Sequence, residues 1–227
     1  MKQGLFITFE GPDGSGKSTQ ARLLAEDLTT LKFEIVLTRE PGGTPLAEEI
    51  RRVILTPSAE PLDPLAEIML YTAARAQHVR QLIQPALAAG KIVICERFVD
   101  SSLAYQGYGL GWDREFIKEI NRMAIGEFQP DLTFLLDLEI TECKRRLTSR
   151  TARNKQGADR IESRGVDFQA KVSRGFREIA AANSRIAQVE VTNKTIRAIH
   201  SELLNILSSK LDLDLSGLKD GETFLAE

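Results

Sequence analysis

One eight-residue stretch, Gly11-Pro12-Asp13-Gly14-Ser15-Gly16-Lys17-Ser18, constrains this chain more than any other part of it. It matches the pattern G-x-x-x-x-G-K-[ST] in full. It stands between a short apolar run at residues 4–10 and a helical repeat at residues 17–31. Glycines let consecutive backbone N–H groups turn inward around an anion, and the helix that follows adds its positive N-terminal end. Lys17 can neutralise charge on the β- and γ-phosphates of a nucleotide, and the Ser18 hydroxyl can ligate the magnesium ion that travels with them. Gly11, Pro12, Asp13, Gly14, Ser15, Gly16, Lys17, Ser18 and Thr19 therefore form a candidate ATP-binding set. Asp13 is unusual there, because a carboxylate beside phosphates is costly unless it faces a hydroxyl or a cation; as a bland alternative it starts the turn.

The pattern around this stretch predicts an α/β fold with a mainly parallel sheet covered by helices on both faces. Strands are expected at 4–10, 33–38, 91–95, 132–137 and 186–191. Helices are expected at 17–31, 45–55, about 65–89 (with Pro85 as a kink or early end), 113–125, 140–149, 166–184 and 195–209. There is no internal repeat and no domain boundary, so residues 1–209 read as one domain and the acidic stretch 210–227 as a tail. Two cysteines, Cys95 and Cys143, are too few for a disulfide framework, which with the absence of a cleavable leader indicates a cytoplasmic protein. No apolar run approaches the roughly 18 residues of a membrane span. Lys plus Arg total 30 against 32 for Asp plus Glu, and aromatics are only 6%. These values argue against nucleic acid or a membrane as partner.

The phosphate motif alone fits a kinase, a GTPase switch or a motor-type ATPase. A GTPase needs Asn-Lys-x-Asp to read guanine; Asn193-Lys194 is followed by Thr195-Ile196 instead. Glu96-Arg97-Phe98 directly follows strand 91–95, beyond whose carboxyl end ligands bind in an open parallel sheet. Arg97 is thus placed to hold an acceptor phosphate in a bidentate manner, or else forms a surface pair with Glu96. Tyr71 and Arg75 are four apart on a helix and share a face. They suit a base, but the spacing alone favours a core contact beside an exposed arginine. Residues 144–164 hold eight basic and two acidic side chains around breakers, which reads either as a lid closing on a triphosphate or as a solvated loop. Asp137, at a strand end, could contact magnesium through water or cap a helix. His78 and His200 read as structural.

Taken together, the motifs resemble those of the thymidylate kinase family. The likeness runs from about Leu5 to about Leu207 through Phe9–Thr19, Thr38-Arg39-Glu40-Pro41-Gly42-Gly43-Thr44, Tyr71–His78, Glu96-Arg97-Phe98 with Ser101, Ser102 and Tyr105-Gln106-Gly107, and Asp159-Arg160-Ile161-Glu162. The resemblance implies a nucleoside monophosphate kinase-like fold with a short lid at about 148–163. It implies transfer of a phosphoryl group from ATP to dTMP, with Mg²⁺ as cofactor, in dTTP synthesis. On the acceptor side it implies Asp13 near the sugar, Tyr71 stacked on thymine, Arg75 on a carbonyl, and Ser102 and Gln106 near the base. Tyr105 would crowd the 2′ position and Arg97 would bridge the two phosphates. Arg39, Pro41 and Arg51 would lie on the same side. Because Pro12, Asp13, Gly14 and Ser15 of the phosphate loop supply no basic residue, the catalytic arginines are expected in the lid, with Arg150, Arg153 and Arg160 as unranked candidates and Arg160 also on the ATP side. Glu96 stands where the family often has Asp, and is a candidate magnesium contact with Ser18. The resemblance also implies a homodimer packed through helices.

Overall fold

The computed structural model describes residues 4–58, 60–154, 159–211, 213, 215, 217 and 218. Five parallel strands form one sheet in the order β2-β3-β1-β4-β5, with β1 Leu5–Glu10, β2 Ile35–Arg39, β3 Ile92–Glu96, β4 Leu132–Asp137 and β5 Ile186–Glu190. The register pairs Ile7 with Ile94 on one side and with Leu132 on the other. Every residue of β4 is buried, as expected of a parallel strand covered on both faces.

Side chains alternate across the sheet. Ile7, Phe9, Ile94 and Phe134 point to one face, where Leu24 and Leu28 of α1 (Lys17–Thr30) meet Leu203 and Leu207 of α9 (Ile196–Leu211). Phe6, Val93 and Cys95 point to the other, under Ile83, Leu87 and Ile125. The last helix thus runs past residue 209, and Leu213 and Leu215 still touch the first core; most of the acidic tail lies outside the described residues.

Helix α2 (Pro45–Leu55) and helix α3 (Pro64–His78) both begin with proline, where the missing N–H has no cost and φ is already helical. Thr44 and Asp63 cap them through side-chain oxygens. The helical run does not end at Pro85. A π turn at Val79–Ile83 widens the run instead, so that Gln84 N–H reaches Val79 O, and α4 (Gln84–Ala88) continues from there. A single wide turn accommodates the donor that proline lacks.

After β3 the chain forms a short helix α5 (Val99–Ser102) and a π segment at Leu103–Gly109, where the sequence offers weak helix formers and two glycines. Tertiary packing holds this segment. A Cβ at Gly175, on α8 (Val166–Ala181), would come within 2.6 Å of the Tyr108 ring. Helix α6 (Arg114–Ile125) packs beside it, and α7 (Ile140–Asn154) extends the helix expected at 140–149 into the basic stretch.

Candidate active site

The carboxyl ends of β1 and β3 lie side by side, which brings the phosphate loop against the segment 96–98. Gly11 has φ 131°, and a Cβ there would sit 2.4 Å from the Leu136 carbonyl oxygen. Gly16 adopts φ 97° at the start of α1. The Lys17 ammonium donates to the carbonyls of Gly11 (3.1 Å) and Pro12 (2.8 Å). Burial, reinforced by Arg97, lowers its pKa to about 8. Ser15 Oγ is buried without a hydrogen-bond partner among the described residues, which suits a loop built to receive phosphate oxygens. Ser18, one residue into α1, donates its hydroxyl to Glu96 Oε2 at 2.6 Å. Thr19 follows in the same turn.

Arg97 sits at the centre of the site. Its φ of 66° lies in the left-handed region, which a non-glycine residue adopts only when its surroundings enforce it. Its N–H donates to Phe9 O at 2.8 Å. Its guanidinium donates to Gly11 O (3.1 Å), Ser101 Oγ (3.1 Å), Asp13 Oδ1 (2.6 Å) and the Tyr105 hydroxyl (3.3 Å). Asp13 thus faces a cation and a hydroxyl, which removes the objection to a carboxylate in the loop.

Beneath Arg97 lies Glu10, which the sequence did not single out. Its Oε1 accepts from the N–H groups of Phe98 (2.7 Å) and Ser101 (3.2 Å), and its Oε2 accepts the Ser101 hydroxyl (2.5 Å). Burial, and then Asp100, pushes its carboxyl up to about 7.

A cleft of about 90 Å³ opens beside this cluster. Pro41, Tyr71, Arg75, Ser102, Tyr105 and Gln106 line it, together with Asp13, Arg97 and Arg51. Burial, and then Glu67, pushes the Tyr71 hydroxyl up, so the ring is neutral. Arg75 is only 2% exposed. It donates to Glu40 Oε2 (2.7 Å), Ser102 Oγ (2.8 Å), Phe98 O (3.0 Å) and Asn121 Oδ1. Arg75 is therefore a buried hub at the edge of the cleft, and the reading of it as an exposed surface arginine does not hold.

The surroundings of the other candidates differ. Arg39 is exposed and pairs with Glu48 at 3.2 Å, while Arg51 donates to Pro41 O at 2.9 Å. Asp137 Oδ2 accepts from Arg177 (2.8 Å) and Gln188 (2.9 Å) on the α8–β5 side of the sheet. Arg160 donates to Ile54 O and to Glu67 Oε2, both at 2.7 Å, beside α2 and α3. The side chains of Arg150 and Arg153, and residues 155–158 of the lid, lie outside the described residues. A lid-side residue not singled out, Arg146, reaches the phosphate loop at Gly14 O (3.2 Å). His78 and His200 are structural: the first bridges Thr38 and Glu40, the second Gln20 and Asp27.

Known proteins carry the same arrangement of sequence and fold. The family model described as thymidylate kinase matches residues 9–203. The thymidylate kinase of Exiguobacterium sibiricum is 50% identical over 200 residues, covering 88% of this chain and 92% of that one. The thymidylate kinase of Pelotomaculum thermopropionicum is 45% identical over 215 residues, covering 95% and 98%. The crystal structure of thymidylate kinase from Ehrlichia chaffeensis superimposes with a TM-score of 0.72 at 37% identity, over 90% of this chain and 98% of that one. With a phosphate loop, a β3 arginine and an adjoining cleft in one family framework, the chain belongs to the thymidylate kinase family.

Proposed function

We propose that this chain transfers the γ-phosphoryl group of ATP to dTMP, giving dTDP and ADP for dTTP synthesis in the cytoplasm. The observation that carries this reading is the position of Arg97, whose guanidinium touches the phosphate loop at Gly11 and also lines the cleft. A donor nucleotide on the loop and an acceptor in the cleft would meet with their phosphates on either side of it. Phosphoryl transfer depends on such positioning and charge stabilisation. The attacking oxygen of dTMP is already ionised, so no strong general base is needed. Lys17 stands over the donor phosphates, Asp13 and Tyr105 face the sugar, and Tyr71, Arg75, Ser102 and Gln106 surround the base. Arg150 and Arg153 are the proposed arginines of the lid at about 148–163.

Ser18 and Glu96 fit Mg²⁺, because they place two hard oxygen donors 2.6 Å apart beside the loop, and magnesium is commonly held by one or two carboxylates plus substrate phosphates. Bound there, the ion would neutralise charge on the donor phosphates. Among the described residues no group of three or more His, Cys, Asp or Glu could form a cage by itself.

A coupled ADP-release assay across dTMP, dCMP, dGMP, AMP and UMP tests the substrate. Release is expected to be fast with dTMP alone; equal rates across the panel would sink the base assignment, leaving a monophosphate kinase of broader specificity. No helix among the described residues is long and apolar enough to cross a membrane. A homodimer is further proposed, supported by an apolar face at which Leu46 and Val53 of α2, Met69 of α3 and Met123 of α6 are 45–69% exposed. Sedimentation should give twice the chain mass for the wild type and a lighter species for Val53→Glu/Met69→Glu. A monomeric wild type would refute it.

A further inference from the structure

Glu67 lies on α3, one turn before Tyr71 and two before Arg75, and its side chain is fully buried. Four hydrogen bonds converge on its carboxylate. Oε1 accepts from Gln106 Nε2 (3.0 Å) and Arg164 (3.1 Å), and Oε2 accepts from Arg160 (2.7 Å) and again from Arg164. Burial works against the charge, but Arg164, Gln106 and Arg160 more than offset it and hold its pKa below the usual glutamate range.

An ionised carboxylate can only accept hydrogen bonds. The Gln106 amide must therefore turn its nitrogen toward Glu67, and its oxygen is the atom left for a ligand in the cleft that Gln106 lines. Without that neighbour the amide could present either end. An oxygen facing the base accepts a ring N–H and repels a ring nitrogen lone pair. Thymine carries an N–H at N3; cytosine carries a lone pair there.

We infer that Glu67 is a positioning residue for base choice: it locks the Gln106 amide so that the cleft selects an imide base over a cytosine-type base. The inference rests on the dTMP reading above. It also gives Arg160 and Arg164 a place in the design, as the cations that keep a buried carboxylate ionised. Sites that read a hydrogen-bonding edge discriminate strongly because the wrong partner leaves buried polar groups unpaired.

The test is Glu67→Gln, assayed for kcat and KM with dTMP and with dCMP. Glutamine can donate as well as accept, so the lock is lost. The kcat/KM preference for dTMP over dCMP is expected to fall by about 10–100-fold, with the loss for dTMP falling mainly on KM. Arg164→Lys, which keeps a cation beside the carboxylate, should keep the preference. If Glu67→Gln is too unstable to assay, the Glu67→Gln/Arg164→Gln variant, charge-matched to the wild type, is compared with the wild type and should show the same loss of preference. An unchanged preference in the Glu67 variants, or an equal loss in Arg164→Lys, overturns the inference while the dTMP reading stands. A wild type that does not prefer dTMP to dCMP overturns that reading itself.

Discussion

Replacement of Arg97 by alanine is expected to slow ADP release by about 10³–10⁵-fold at saturating ATP and dTMP, the range found for arginines that stabilise a transferring phosphoryl group. ATP should still bind, because the loop amides and Lys17 remain. Arg97→Lys is expected to recover little, since one ammonium cannot replace a planar fork shared between Asp13, Gly11 and Ser101. A loss below about tenfold, worth only about 1.4 kcal/mol of barrier, would remove Arg97 from the reaction. The geometry also ties this arginine to Glu10. The ionised carboxylate accepts three donors from the segment that follows Arg97, and a proton on it turns one acceptor into a donor. Wild-type kcat is therefore expected to fall as the pH drops through about 7, where Glu10 titrates. Glu10→Gln, which carries a donor at every pH, should be slower and lack that limb. For stability the sign is opposite. The unfolded carboxyl titrates near 4.5 and the folded one near 7. The folded state binds the proton more tightly, so this group's stabilising contribution is present below the lower value and is lost as the pH rises to the upper one.

The second large effect is expected in stability. Arg75→Ala leaves Glu40, itself 4% exposed, as a buried carboxylate that keeps only His78 Nδ1 at 3.0 Å. It also strips Asn121 Oδ1, Ser102 Oγ and the Phe98 carbonyl of a donor. Removing one partner of a buried ion pair costs about 3–5 kcal/mol. At roughly 2–4 °C per kcal/mol for a chain of this size, the melting temperature should drop on the order of 10 °C. Saturation by dTMP should be lost as well, because Arg75 lines the cleft. Thermal denaturation with and without dTMP reads both effects. A melting temperature within about 2 °C of wild type would show that the Arg75–Glu40 pair is dispensable. Glu40→Met/Arg75→Met should recover part of the stability, and none of the binding.

These two residues mark different depths at which the sequence could be read. Arg97 follows a strand that must end at the ligand edge of a parallel sheet, so local pattern plus one topological rule suffices to nominate it. Arg75 was legible only as a face shared with Tyr71. Nothing in that spacing says that Glu40, Ser102 and Asn121, which lie 27–46 residues away, converge on it. Glu10 and Glu67 were missed for the same reason. Each is an ordinary acidic residue on its own element, and only its partners 39–97 residues away give it a task. The sequence predicts no helix over 99–109, because that segment has little intrinsic propensity and its helix forms against α8.

The phosphate loop, the alternation of strands and helices, and hence a parallel sheet with its ligand edge at the carboxyl ends, are legible in the linear pattern of residues. Those features depend on contiguous residues: glycine conformations, apolar periodicity and the reach of one lysine. The pairing of carboxylates with arginines comes from the fold alone: Asp137 with Arg177, and Glu67 with Arg160 and Arg164. Buried charges must find partners wherever the packed helices bring them, and a linear pattern does not encode that geometry.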